Sequence, residues 1–305
     1  MRWRADLAIT FVAFVWGVSF VLNKRALDDI PVLLYLSLRF TLAAALMAVI
    51  YRRQLAEGFS RQQWIGGLAT GALLMTGFIL QTAGLVYTTP AKSAFLTGLY
   101  AVLIPILTML VLRKVPGIME CLGVLVATCG MYFMSVPPGT LHIATGDLLT
   151  IASAVFYALQ IMTLGYFAPR TGYVSISLLQ VSAACVIAWL SCGISLLGSQ
   201  ATMAVRWTPQ VWLAIVVGGV FCTAIAFTAQ SWAQQFTTNT RAALLMSLEL
   251  VFAWFTSYIW DGEVLSLRSG AGAVLILAGI LLVELKPSGV VEHPSNQAET
   301  VTDIE

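Results

Sequence analysis

Between Arg61 and Lys92 the chain runs for thirty residues without a formal charge, between Arg170 and Arg206 for thirty-five, and between Arg206 and Arg241 for thirty-four. About 20 apolar residues in an α-helix are enough to cross the ~30 Å hydrocarbon layer of a bilayer. In lipid every backbone N–H and C=O has to be satisfied by the protein, and a helix does this within one segment. A transmembrane β-barrel would instead show segments of about ten residues alternating in polarity. Composition closes off the soluble alternative: 59% of the 305 residues are apolar and 10% charged, where a soluble domain carries about 25% charged residues to cover its surface. A net charge of +2 without a basic stripe leaves no footprint for a nucleic acid.

The same rule predicts an all-α integral membrane protein of ten spans, near 6–23, 31–52, 63–87, 91–112, 117–136, 146–168, 173–198, 210–235, 240–260 and 267–285. Arg39 interrupts the second and Glu249 the ninth, while Arg268 and Glu284 flank the tenth, where long side chains snorkel. The first stretch has the look of a signal peptide, but no A-x-A-like site follows it, so it is read as a retained span. With a cytoplasmic N-terminus, the inside collects Arg2, Arg4, Arg52, Arg53, Arg61, Arg113, Lys114, Arg170, Arg241 and Lys286, and the outside Lys24, Arg25, Lys92, Arg206 and Arg268. Ten against five favours both termini in the cytoplasm. In the second half the count is three against two, so its orientation rests on the number of spans.

Little in the chain supports chemistry. Cys121, Cys129, Cys185, Cys192 and Cys222 all fall in predicted spans and read as small packing residues; His142 and His293 lie in a loop and in the tail. A His-based metal site or catalytic dyad therefore has no material, and no metal or cofactor is expected. There is no Gly-x-Ser-x-Gly elbow, no His-Glu-x-x-His and no phosphate loop, against an intramembrane enzyme or an ATP-driven pump.

The chain also repeats itself. An offset of 149 sets Gln81 on Gln230, Thr88 and Thr89 on Thr237 and Thr238, Lys92 on Arg241, Ala94 on Ala243, and Gly123 and Gly130 on Gly272 and Gly279. Leu96, Leu99 and Val102 meet Leu245, Leu248 and Val251 in the same register. Earlier, an offset of 141 pairs Asp6 and Leu7 with Asp147 and Leu148, and Trp16 with Tyr157. This divides the chain into a first repeat at 5–136, a second at 146–285, and a polar tail at 287–305 that reads as disordered. Five helices per repeat, an odd number, send the second copy into the bilayer upside down. Inverted repeats are a recurring design of secondary transporters, with the substrate site near the midplane where the repeats meet. A receptor or scaffold has no need of two opposed copies.

The stretch from Tyr87 to Pro105 (YTTPAKSAFLTGLYAVLIP) resembles the fourth-helix region of the EamA-type transporters of the drug/metabolite transporter superfamily. So does Arg241 to Ala253 (RAALLMSLELVFA) followed by Asp261, Gly262 and Glu263, together with Trp16 to Phe20 (WGVSF) and Leu38, Arg39 and Phe40. Leu250 stands where the family usually has proline after the ninth-helix Glu, and Arg113, Lys114 and Val115 replace its Gly-Glu pair in the first half. The resemblance implies ten helices in two inverted repeats, cytoplasmic ends in a bacterial inner membrane, and small metabolites as cargo. It further implies outward transport, commonly at the expense of a proton gradient.

Glu249 and Arg39 are the charges deepest in predicted spans, where insertion costs roughly 2.5–3.5 kcal/mol each. They point to an aqueous cavity or, on a purely structural reading, to an ion pair or hydrogen-bonded tether. Other candidates for lining a substrate pathway are Trp16, Ser19 and Asn23 on one face of the first helix, and Gln81, Thr97 and Tyr100. In the second half they are Tyr157, Gln160, Gln230, Gln234 and Trp254, for each of which interhelical packing is the competing reading. Lys92 and Arg241 sit at equivalent helix N-termini, where a cation opposes the helix dipole. They suggest an anionic headgroup or substrate, with snorkelling to the interface as the plainer account. Thr89 and Pro90, and Thr238 and Asn239, read as cap and first helical residue. Gly67 and Gly71 form a Gly-x-x-x-Gly. The glycine pairs 123/130 and 272/279 suit either a homodimer seam or, as favoured here, packing within each repeat of a monomer.

The topology has a direct test. Reporter fusions after residues 58 and 170 are expected to read cytoplasmic and a fusion near residue 140 external. Opposite readings at 58 and 170 rule out the five-plus-five scheme.

Overall fold

The computed structural model describes residues 1–113, 116–135, 145–198, 204–261 and 266–285. Lys114, Val115, His142, Gly262, Glu263, Lys286 and the tail 287–305 lie outside the described residues. In chain order the helices are α1 (Arg2–Ala26), α2 (Val32–Ile50), α3 (Arg52–Glu57), α4 (Arg61–Val86), α5 (Pro90–Gly98), α6 (Tyr100–Leu112) and α7 (Ile118–Ser135). The second half holds α8 (Thr145–Thr171), α9 (Tyr173–Gly198), α10 (Pro209–Gly219), a π-helical turn (Val220–Ile225), α11 (Ala226–Ala233), α12 (Asn239–Met246), α13 (Leu248–Asp261) and α14 (Leu267–Leu285). Among the described residues seven stretches are long and apolar enough to cross a membrane: α1, α2, α4, α8, α9, the α5–α6 stretch Lys92–Leu110, and the stretch Pro209–Ala233 through the π turn. Helices α7 and α14 are apolar but shorter.

Helix starts follow the local signals. Ser60 and Gln63 form a reciprocal capping box at α4. Thr89, Thr208 and Thr238 each accept a backbone N–H three residues on, with Pro90 and Pro209 filling the first helical position. Gly172, at φ +81°, turns α8 into α9 in one residue. The expected unbroken fourth, eighth and ninth spans are each interrupted. Leu99 and Ser247 have ψ of −15° and −14°, tighter than the helical value near −42°. At Ser247 the N–H is shared between the carbonyls of Ala243 (3.0 Å) and Leu244 (3.1 Å), a switch of the bonding from four residues to three.

The halves interlock rather than sit side by side. The first helix of each packs on the other's third and fourth segments: α1 on α10, α11, α12 and α13, and α8 on α4, α5 and α6. The glycine pairs of α7 and α14 face one another within the chain, so the expected packing inside each repeat is corrected to a seam between them. A Cβ on Gly123 would lie 2.6 Å from the Gly279 carbonyl oxygen, and one on Gly130 2.5 Å from that of Gly272. Two matching rows of glycine let the backbones meet where any side chain would hold them apart. Gly67 and Gly71 give α9 the same close approach, against Leu179 and Gln180.

Lys92 and Arg241, expected to face an anionic headgroup or substrate or to snorkel, each pair with a carboxylate of the other half. Lys92 Nζ lies 2.6 Å from Asp147 Oδ2, and Thr88 Oγ1 donates to Asp147 Oδ1 at 3.2 Å. Arg241 grips Asp6 with two bonds, Nη2 to Oδ2 at 2.7 Å and Nε to Oδ1 at 3.1 Å. Each cation opposes the dipole of its own helix and finds a carboxylate on the other half's first helix; Asp147 stands in the first turn of α8, where an anion is favoured, and Asp6 one turn further into α1. Asp147 is 2% exposed and Asp6 20%. Breaking a buried pair from the cationic side costs about 3–5 kcal/mol, and a partly exposed one about 1 kcal/mol. Lys92→Gln is therefore expected to lower the melting temperature more than Arg241→Gln, and Lys92→Gln combined with Asp147→Asn to recover much of the loss. Equal melting of wild type and Lys92→Gln in detergent would show that the pair contributes nothing.

Candidate functional site

Where the interlocked helices diverge, they surround a narrow cavity of about 50 Å³, room for a few water molecules and well below the roughly 300–1,000 Å³ of an open small-molecule site. Eleven of the expected residues line it: Trp16, Ser19, Asn23, Arg39, Gln81, Thr97, Tyr100, Tyr157, Gln160, Gln230 and Glu249. Gln234 and Trp254 do not. Gln234 is buried beyond the cavity, its Nε2 donating to the Ile161 carbonyl at 3.0 Å. Trp254 packs against Phe255 at 5.1 Å between ring centroids.

Sequence reasoning missed Phe20, Leu74, Phe78, Thr82, Leu85, Ile161, Phe227 and Met246, which complete the lining. A signal was present for several. The register of 149 that pairs Gln81 with Gln230 also pairs Phe78 with Phe227, Thr97 with Met246 and Tyr100 with Glu249. The register of 141 pairs Trp16 with Tyr157, Ser19 with Gln160 and Phe20 with Ile161. Both members of all seven pairs line the cavity. The lining is uneven elsewhere: Asn23, Thr82 and Leu85 belong to it, whereas their counterparts Leu164, Ser231 and Gln234 do not.

Aromatic rings bridge the halves. Trp16 lies 5.4 Å from Phe227, Phe227 6.1 Å from Phe78, and Phe78 5.7 Å from Tyr157, all tilted or edge-on as ring quadrupoles favour. The amides are tied into the frame: Gln81 donates to Thr97 Oγ1 and accepts from the Tyr157 hydroxyl, both at 2.9 Å. Gln160 donates to Gln180, which donates to Ser231 Oγ, each at 3.1 Å. Asn23 accepts from the Tyr35 hydroxyl at 2.6 Å.

The two charges are held differently. Arg39, 2% exposed, donates from Nε to Thr223 Oγ1 at 2.9 Å and from Nη2 to the Cys222 carbonyl at 3.4 Å, both in the π turn. Trp16 Nε1 donates to the same carbonyl at 2.9 Å. Single π turns inside α-helices are frequent at functional sites; here the turn turns one carbonyl toward two donors from the other half. Among the described residues no carboxylate is paired with Arg39, so the tether is the arrangement found. Glu249, 4% exposed, stands in the first turn of α13, with the Tyr100 hydroxyl 3.5 Å from its Oε1. A Cβ on Gly17 would lie within van der Waals overlap of the Glu249 backbone carbonyl oxygen, so α1 passes the start of α13 at backbone contact.

The sequence pattern of the EamA-like transporter family matches residues 3–136 and again residues 144–285. An uncharacterized transporter of Archaeoglobus fulgidus is 30% identical over 289 residues, covering 93% of this chain and 87% of its own length. The transporter YvbV of Bacillus subtilis, also named as uncharacterized, is 26% identical over 290 residues, covering 93% and 92%. A solved crystal structure superposes with a TM-score of 0.75 over 93% of this chain and 98% of its own, at 20% identity, and so shares the fold. With two matches that together span nearly all of its length, the chain belongs to the EamA-like transporter family of the drug/metabolite transporter superfamily and is a multi-pass membrane transporter rather than an enzyme.

Proposed function

We propose that the protein is a secondary transporter that carries a small polar or amphipathic metabolite out of the cell by alternating access. Its ten crossings form two inverted five-helix repeats in a bacterial inner membrane, with both termini cytoplasmic. The observation that carries this reading is the cavity lined by equivalent positions of both halves, since that is where inverted repeats place a substrate. The uneven lining supports it: a cavity that includes Asn23 and Leu85 but stops short of Leu164 and Gln234 suits a state committed to one side. Rings and tied amides suit a ligand with an apolar body and a few polar groups. A thermal-shift screen against amino acids, nucleosides and carboxylates tests the reading, because a ligand of the folded state raises its melting temperature.

In this reading Glu249 couples transport to protons. A carboxyl at the centre of a closing cavity is neutral when dehydrated and charged when water enters, which links its proton to the access state. Its register partner is Tyr100, so the halves differ here by a carboxylate against a phenol. Glu249→Gln keeps size and hydrogen bonding and is expected to leave the protein folded and inserted. Flux driven by a pH gradient in proteoliposomes should fall at least tenfold, while substrate binding or exchange survives. Wild-type gradient-driven flux in this variant would reduce Glu249 to a structural tether.

A further inference from the structure

In folded proteins roughly 90% or more of buried polar atoms have a partner, in the protein or in bound water. Among the described residues five buried side-chain atoms have no protein partner, and three of them fall on one stretch: Gln230 Oε1, Gln234 Oε1 and Thr237 Oγ1. These residues are 1%, 2% and 7% exposed. Gln230 and Gln234 stand one above the other at the C-terminal end of α11, about 6 Å apart along the axis. Thr237 follows in the turn that leads to Thr238, the N-cap of α12, three residues before Arg241. The unpartnered oxygens therefore run from the central cavity, which Gln230 lines, to the Asp6–Arg241 pair at one end of the molecule.

The orientation of the Gln234 amide is fixed by two acceptors. Its Nε2 donates to the Ile161 carbonyl at 3.0 Å and to Asn239 Oδ1 at 3.3 Å, and turning it over would set two oxygens against each other. Its Oε1 needs a donor that the protein does not supply. In the register of 149 the other half has Gln81, Leu85 and Thr88 at these places. Gln81 is bonded on both sides, Leu85 has nothing to satisfy, and Thr88 donates to Asp147. The unsatisfied track belongs to one half alone. Water fits it: small, able to donate twice, and stable in a buried site with polar partners. A divalent cation suits it less, because the three oxygens are neutral amide and hydroxyl groups and bring no carboxylate.

We propose that Gln230, Gln234 and Thr237 hold a file of bound water joining the central cavity to the Asp6–Arg241 end, and that protons reach Glu249 along it. Each proton entering the file displaces the next from water to water, and the last binds the Glu249 carboxylate and neutralises it. Tyr100 on α6, Tyr157 on α8 and Arg39 on α2 share the cavity with that carboxylate, and α1 adds the uncharged Trp16, Ser19 and Asn23. The water file stands independently of any substrate; the delivery of protons rests on the transport reading.

Two measurements separate these parts. An experimental structure at a resolution that shows water is expected to place one within hydrogen-bonding distance of each of the three oxygens; three dry oxygens overturn the file. Infrared spectroscopy in a flow cell then follows the protonated Glu249 carboxyl after a pH step, the band being assigned by its loss in Glu249→Gln. Gln234→Leu, which copies Leu85, and Thr237→Val, which leaves the Gln234–Ile161 bond in place, are each expected to slow its appearance at least tenfold. Unchanged rates in a folded Thr237→Val, with Gln234→Leu unchanged or misfolded, overturn proton delivery by this route. A Glu249 band that ignores pH overturns the coupling reading and proton delivery with it, and the located waters alone then decide the file.

Discussion

A guanidinium held inside an apolar protein is stable only where the protein replaces the hydrogen bonds lost from water, a penalty of several kcal/mol otherwise. Arg39 is met by a backbone that has changed its winding. The π turn Val220–Ile225 brings Thr223 Oγ1 and the Cys222 carbonyl to its donors. The rings of Phe78 and Phe40 lie 4.9 and 5.9 Å from its charge. Gly218 leaves room for the side chain, since a Cβ there would be 3.0 Å from Arg39 Cδ. Trp16 takes the same carbonyl, so the contact that settles the charge of α2 also fixes α1 against the second half. With α1 fixed, Gly17 is pressed on the start of α13 and Glu249 is held where Tyr100 reaches it. Much of the cavity wall follows from how one buried cation is satisfied.

The sequence made some of this legible and hid the rest for identifiable reasons. Long uncharged runs mark helices because the bilayer rule acts on whole segments, and threonine followed by proline or asparagine marks their starts because capping is local. The breaks at Leu99 and Ser247 carry no such mark: neither residue is proline, and a change of one hydrogen bond from four residues to three leaves no trace in composition. The π turn is equally silent, since Val220 to Ile225 reads as one more apolar stretch. Lys92 and Arg241 were visible as oddities, but their partners lie 55 and 235 residues away and only the packing of the halves brings them close.

For the cavity, polarity found the residues that look out of place in lipid and overlooked those that do not. Phe78 and Phe227 are ordinary span residues taken singly; their shared register with Gln81 and Gln230 was the signal, because positions equivalent in two copies meet at the axis between them. Trp254, expected on the pathway, lies outside the cavity lining. An aromatic residue with a polar edge on an apolar helix is as well placed beside Phe255 as beside a ligand, and sequence spacing does not say which way it faces.

The interlocking also sets an order of events during synthesis. Asp6 emerges almost at once, and its partner Arg241 comes 235 residues later. At translation rates of roughly 5–20 residues per second, the wait is on the order of 10–50 s. Through that interval α1 has no α13 to lie against, and Gly17 presents bare backbone to whatever occupies the place of Glu249. The first half has to persist in the bilayer as an incomplete body whose last groove is filled only as the chain nears its end. A chain truncated before Arg241 leaves α1 without the α12 and α13 surface on which it packs.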